Sequence, residues 1–168
     1  QARSLFSEGM KNVATKGKPD GGALANLVER WVGMVAEEVN PTGGDADAVS
    51  AEIRDRLLPL EELVSGYDFA HVLAQYYRGF TTSNDALRSA ASRWLRGEYT
   101  TKTEARTDLG VRSIIDDDSF YDYLKLFAKF VRIAGHAGLL VCLDELVVLS
   151  HRLNSRTSRN NNYEAILL

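Results

Sequence analysis

The chain has 168 residues, a length that suits one domain with a buried core. With 45% apolar and 26% charged residues, the composition is that of a globular protein and excludes a disordered or collagen-like chain. The net charge of -3 provides no overall attraction to nucleic acid or to an anionic membrane. No apolar run approaches the roughly 20 residues of a membrane span. The single cysteine, Cys142, excludes an internal disulfide, and we expect a reducing, cytoplasmic location.

Both ends of the sequence differ from the polar, frayed termini usual in natural domains. The sequence begins at Gln1 without a methionine and stops inside an apolar run at Leu168. These ends predict an excised piece of a longer protein.

Apolar residues at helical spacing predict that most of the chain is helical. A short stripe lies within residues 3–14, and a longer one comprises Leu24, Leu27, Val28, Trp31, Val32 and Val35. A third, rich in aromatic residues, comprises Phe69, Val72, Leu73, Tyr76, Tyr77 and Phe80. Core packing is the favoured interpretation of this third stripe, and a surface that stacks nucleic-acid bases is the alternative. His71 lies off the stripe, so we expect it to be exposed.

Proline and capping residues predict where helices begin and end. Pro59 should kink or stop its helix, because proline lacks an amide hydrogen and clashes with the preceding turn. Asp68 is a candidate N-cap, and Thr101 with Glu104 forms a capping-box pattern. The acidic run at 116–119 lacks the spacing of a calcium loop, so we expect it to cap the start of a helix.

Arg88, Arg93 and Arg96 lie on and around the polar side of one predicted helix. A solvated surface is the favoured interpretation, and a contact with DNA or another anion is the alternative.

The apolar run at 138–143 leads directly into two adjacent carboxylates, Asp144 and Glu145. A continuous apolar run of this kind is typical of a strand buried on both faces, with Cys142 as a small buried residue. Carboxylates after such a strand lie at the sheet edge where α/β folds bind ligands. This is the position of Walker B in P-loop proteins, so Asp144 is the candidate Mg²⁺ residue and Glu145 the candidate catalytic base. Alternatively, the two acids cap the following helix.

Four segments together resemble a family of bacterial P-loop ATP-binding proteins associated with phage-exclusion (BREX-type) defence and related to AAA+ and ORC/Cdc6-like ATPases. They are KPDGGAL (18–24), GYDF (66–69), KTEARTDLGV (102–111) and GLLVCLDE (138–145). The resemblance implies an α/β P-loop (AAA+-like) fragment, predominantly α-helical, with a buried Walker B strand. It implies one partial domain over 1–168, with a helical insertion at about 22–110 and a Walker B unit at about 116–168.

The phosphate-binding loop of that family is missing. The sequence contains no G-x-x-x-x-G-K-[ST], and the glycines and lysines of 16–22 do not follow a predicted strand. We therefore expect ATP and Mg²⁺ to bind the longer protein, and this chain to bind ATP weakly or not at all and to be inactive by itself.

The resemblance implies a function in which ATP binding and hydrolysis are coupled to a protein partner or to DNA. The alternative is a helical interaction module without catalysis. Because the strand at 139–143 would lack most of its sheet partners, we also expect it to mediate self-association.

Overall fold

The computed structural model describes residues 2–43 and 45–142. Over these ranges the regular structure consists of seven α-helices and one isolated antiparallel bridge between Thr15 and Lys18. The helices are α1 (Ala2–Lys11), α2 (Ala23–Val39), α3 (Ala46–Glu61), α4 (Gly66–Thr81), α5 (Asp85–Leu95), α6 (Lys102–Leu109) and α7 (Phe120–Ile133).

The predicted α/β P-loop fold with a buried strand is wrong, because the described residues form helices and no strand. Residues 139–142, the described part of the predicted strand, have no regular secondary structure. Leu140 and Val141 are 85% and 48% exposed, and Cys142, expected to be buried, is exposed. A buried strand requires neighbouring strands on both sides, and an apolar run this short does not by itself establish that they exist.

The chain divides into two compact units, residues 1–138 and 139–168. All seven helices belong to the first unit. Of the second unit, the structure describes only residues 139–142.

Helix α4 is the central helix of the first unit, and its most extensive contacts are with α3 and α5. The aromatic stripe of α4 is confirmed as core, since Phe69, Tyr76 and Tyr77 are all less than 10% exposed. Phe80 is the exception at 53% exposed. The stripe on α2 is confirmed in full, with all of its members buried.

Aromatic rings connect four of the helices across the core. Phe130 of α7 meets Trp31 of α2 and Phe69 of α4 edge-on, with ring centroids 5.3 and 5.4 Å apart. Trp94 of α5 meets Tyr123 of α7 in the same way at 5.1 Å. Edge-to-face geometry places the positive edge of one ring against the negative face of the other. The contacts therefore fix ring orientation in addition to removing apolar surface from water.

Pro59 does not stop α3, which continues to Glu61. In the last turn proline still lacks an amide hydrogen for the carbonyl four residues before it, so other contacts must offset its cost. Leu60, the next residue, is fully buried, so core packing holds the last turn in place.

Side-chain caps begin three helices. Asp45 accepts from the amide of Ala48 at 2.9 Å, and Asn84 accepts from that of Leu87 at 3.0 Å. The predicted cap at Thr101 is confirmed, because its hydroxyl accepts from the amide of Glu104 at 3.3 Å. The Glu104 carboxylate, predicted to complete the capping box, pairs instead with a residue of α5.

Gly66 permits the close approach of α3 and α4 at the turn between them. A Cβ atom placed there would lie 1.8 Å from the carbonyl oxygen of Leu60 and 2.9 Å from the Cα of Glu61. These neighbours are backbone atoms, which cannot rotate away.

Gly66→Ala should therefore destabilise the chain by about 2 kcal/mol or more, because the added methyl forces the α3–α4 turn apart. Gly33→Ala is the matched control, since Gly33 lies inside α2 with no atom within 4 Å of an added Cβ. The control should leave stability unchanged or raise it by roughly 0.5–1 kcal/mol. Urea unfolding followed by circular dichroism measures both, and equal effects of the two substitutions would contradict this explanation.

Candidate functional site

The predicted nucleotide residues Asp144 and Glu145 lie outside the described residues. Within residues 2–43 and 45–142, no group of three or more His, Cys, Asp or Glu side chains could hold a metal ion. Residues 16–20 form an exposed turn between α1 and α2, as expected of an interhelical loop.

The three arginines of α5 and its C-terminus are each paired with a nearby acid. Arg93 contacts the Glu104 carboxylate at 2.6 Å, and its guanidinium lies 4.2 Å from the centre of the Tyr99 ring. Arg96 makes two hydrogen bonds to Glu98, at 3.1 and 3.0 Å. Arg88 lies 3.5 Å from Asp85. A DNA phosphate would have to compete with these pairs, and contact with DNA through them stays a prediction.

A polar cluster, Asp68, Ser113 and Tyr123, joins α4 to the connector between α6 and α7 and to α7 itself. The Asp68 carboxylate accepts from the backbone amides of Arg112 and Ser113, at 3.2 and 2.9 Å, and from the Ser113 hydroxyl. The Tyr123 hydroxyl lies 2.8 Å from Ser113 Oγ. Ser113 donates its only hydrogen to Asp68, so Tyr123 must donate to Ser113.

Asp68 was predicted to cap α4, and this is wrong. The helix begins at Gly66 after Ser65, a residue with φ of 62° that makes no side-chain cap. Asp68 instead bonds residues 44 and 45 positions further along the chain. No local pattern in the sequence indicates such a pairing, because the partners meet only after the helices pack.

The cluster is structural in character. Its serine hydroxyl is already engaged by a carboxylate and a phenol, and neither partner is the imidazole that commonly activates a serine nucleophile. Burial raises the pKa of Tyr123 to about 12, because the phenolate would lose its hydration. The neutral phenol is therefore the form that the fold stabilises.

His71 of α4, predicted to be exposed, is half-buried, and its ring contacts the end of α6. Its Nε2 is 3.0 Å from the carbonyl oxygen of Leu109. Because a carbonyl only accepts, this hydrogen bond requires the tautomer with the hydrogen on Nε2, and the amide nitrogen of Gln75, 3.1 Å from the same atom, then makes no hydrogen bond to it. The contact fastens the last turn of α6 to the central helix.

The acidic run 116–119 forms the turn before α7, so its predicted position at a helix start is confirmed. The predicted cap is wrong, because α7 has no side-chain cap hydrogen bond at Ser119. The Asp116 carboxylate accepts from the Ser119 hydroxyl at 2.6 Å and from the amides of Ser119 and Asp118. These hydrogen bonds lower the pKa of Asp116, the Ser119 hydroxyl contributing most.

A polar cleft of about 190 Å³ lies between α3 and α4, and sequence reasoning did not find it. Arg54 from α3 and Arg78 from α4 line it, with Asp47, Ser50 and Gln75 at its walls. Neither arginine makes an ion pair within the described part of the chain. The sequence does not indicate this cleft, because it does not show which charged side chains find partners.

The comparisons with known proteins assign this helical chain to a class of nucleotide-binding defence proteins. A family model described as BREX system ATP-binding protein BrxC/D matches residues 1–168. The chain therefore belongs to the BrxC/D family of ATP-binding proteins, which confirms the resemblance seen in the sequence. No curated protein and no solved structure matches the chain significantly. None of the described helices is both long enough and apolar enough to cross a membrane.

Tyr123→Phe should change how stability depends on pH. Because the pKa of Tyr123 is raised from 10.0 to about 12 on folding, its contribution is complete below pH 10.0 and is lost as the pH rises through about 12. Between about pH 8 and about pH 11 the unmodified chain should lose about 1.4 kcal/mol more stability than Tyr123→Phe. Tyr67→Phe, at an exposed position, is the control and should behave like the unmodified chain. Identical pH dependence of all three proteins in urea unfolding would contradict the buried-phenol account.

Proposed function

We propose that the helical unit of this chain transmits the nucleotide state of a BREX ATP-binding protein to a partner. The observation that carries this proposal is the difference between what the family binds and what the described helices contain. The family binds ATP, while the described helices provide neither a group of metal-binding side chains nor a phosphate loop. A helical unit of an ATP-binding protein that does not itself bind the phosphates is suited to recognising a partner and to coupling that partner to the nucleotide state.

Asp144 and Glu145 are the residues we propose to act at the nucleotide of the longer protein. Carboxylates are the protein ligands that Mg²⁺ prefers, so Asp144 would position the metal. Glu145 would polarise the water that attacks the γ-phosphate. The sequence argument for these two residues used a buried strand before them, which residues 139–142 do not form. The proposal is therefore supported by membership of an ATP-binding family and by the adjacency of the two carboxylates.

A second candidate is a helical interaction module without catalysis, in which Asp144 and Glu145 cap a helix. The all-helical character of the described residues favours it, because helical units of this size commonly present surfaces to partners. Both candidates place the partner on the helical unit, and they differ only in what the two carboxylates do.

Glu145→Gln in the longer protein should separate the two candidates. If Glu145 polarises water, ATP hydrolysis should fall by roughly a hundredfold or more while ATP binding persists, because only the chemical step loses its base. Glu61→Gln, at an exposed position at the end of α3, is the control and should hydrolyse ATP at the normal rate. Unchanged hydrolysis in Glu145→Gln would favour the non-catalytic module.

A titration of ATP tests the expectation that this chain, which lacks a phosphate-binding loop motif, does not bind ATP tightly by itself. ATP with Mg²⁺ is titrated by calorimetry into the longer protein and into the chain 1–168 alone. We expect binding to the longer protein and weak or undetectable binding to the chain, since the phosphates are held mainly by the loop amides and lysine. Micromolar, Mg²⁺-dependent binding to the chain alone would contradict this expectation.

Self-association through residues 139–143 is a further proposal, supported by the exposure of Leu140 and Val141. Glu substitutions at both positions should shift light scattering toward the monomer mass, because a charge in an apolar contact must be desolvated. Leu5→Glu is the control, since Leu5 is 76% exposed on α1 and lies outside the segment. A monomer at high concentration before any substitution would rule out the association.

A further inference from the structure

The geometry points to the α3–α4 cleft as a docking site for a carboxylate of an acidic segment in a partner protein. This inference rests on the proposed coupling role of the helical unit and specifies where the partner binds. The residues of the cleft are separate in sequence from Asp144 and Glu145. An experiment can therefore disprove the docking site without disproving the role of the two carboxylates, and the reverse also holds.

The two arginines of the cleft make no ion pair within the described residues, whereas the neighbouring Arg56 makes two. Arg56, two positions after Arg54, contacts Glu38 at 2.7 Å and Glu52 at 2.8 Å. Arg54 and Arg78 are exposed, line the same cleft, and make no ion pair within the described residues. Asp47 also lines the cleft without pairing to either arginine. Two guanidinium groups are therefore available to an incoming anion.

Small side chains leave the space between the arginines open. Ala51 and Ala74 lie on the facing sides of α3 and α4 and line the cleft. A volume of about 190 Å³ is below the roughly 300 Å³ at which small-molecule sites begin, so a whole nucleotide does not fit. It suits a single anionic group that belongs to a larger partner. Guanidinium forks bind carboxylates through paired hydrogen bonds, which provides geometric selectivity.

Apolar and aromatic side chains continue this surface toward the α3–α4 turn. Leu58 follows Arg54 by one helical turn on the same face of α3 and is 52% exposed. On α4, Tyr67 is 65% exposed and stacks on His71, with ring centroids 6.5 Å apart. His71 in turn lies 3.1 Å from the amide of Gln75 in the cleft wall. Arginine next to exposed aromatic and aliphatic groups is the composition enriched at protein interfaces.

Charge around the cleft favours a protein carboxylate over a nucleic-acid backbone. Asp47 lies in the cleft wall and Asp55 is exposed beside Arg54. These acids, with the net charge of -3, would repel an extended polyanion while leaving room for one carboxylate. The occupant is therefore a short acidic segment in which glutamate or aspartate is adjacent to an apolar residue.

The test titrates a capped peptide of sequence Ser-Glu-Glu-Leu-Glu-Ser into the nitrogen-15-labelled chain to millimolar concentration. Amide shifts should saturate and be confined to residues 47–58 and 67–78. The double variant Arg54→Gln, Arg78→Gln should weaken the affinity by at least about tenfold. The control double variant Arg30→Gln, Arg106→Gln makes the same charge change at two exposed arginines outside the cleft, and its affinity should stay within about twofold.

Four results would overturn the inference. They are the absence of saturable shifts at millimolar peptide, equal weakening in the two double variants, unchanged binding when every glutamate of the peptide is glutamine, and tighter binding of oligothymidylate or inorganic phosphate than of the peptide. The last result, if it depended on Arg54 and Arg78, would identify a phosphate site instead. Circular dichroism of both double variants checks that each remains folded, as expected for exposed side chains.

Discussion

Asp68 extends from the first turn of α4 to the connector that follows α6, where two backbone amides and a hydroxyl donate to its carboxylate. The connector is fastened on its other side by the indole of Trp94, which donates to the carbonyl of Ser113 at 2.9 Å. Tyr123 adds α7 to the same cluster. Leaving a buried or half-buried polar group unpaired costs desolvation energy, so these hydrogen bonds favour the observed arrangement of α4, α5 and α7. The aromatic core then fills the space that the cluster defines.

Close backbone contacts at the two ends of α4 complete that arrangement. Gly66 lets the start of the helix reach the backbone of Leu60, and Gly79 lets its end lie against Asn84 and Arg88, where an added Cβ would come within 3.0 Å of backbone atoms. Glycine is required there because a larger residue would separate the helices. The central position of α4 between α3 and α5 therefore depends on two small residues as much as on its buried aromatic face.

The surface of the helical unit contains arginines that are paired with an acid and arginines that are not. Arg56, Arg93 and Arg96 each donate to a glutamate carboxylate within the fold, so their charges are already neutralised by neighbouring acids. Arg54 and Arg78 make no ion pair within the described residues. The α3–α4 cleft therefore holds two exposed guanidinium groups that no acid of the described residues neutralises, in a chain that belongs to a family of ATP-binding proteins.

The sequence by itself determined the helical character of the described residues, the cap at Thr101 and the family. The stripes of α2 and α4 and the cap at Thr101 follow from interactions within a few residues, which local patterns record. Tertiary structure decided what joins distant positions: the partner of Asp68, the burial of His71 and the choice of Arg54 and Arg78 as free charges. It also decided against a strand at 139–142, because an apolar run becomes a buried strand only where other strands lie beside it.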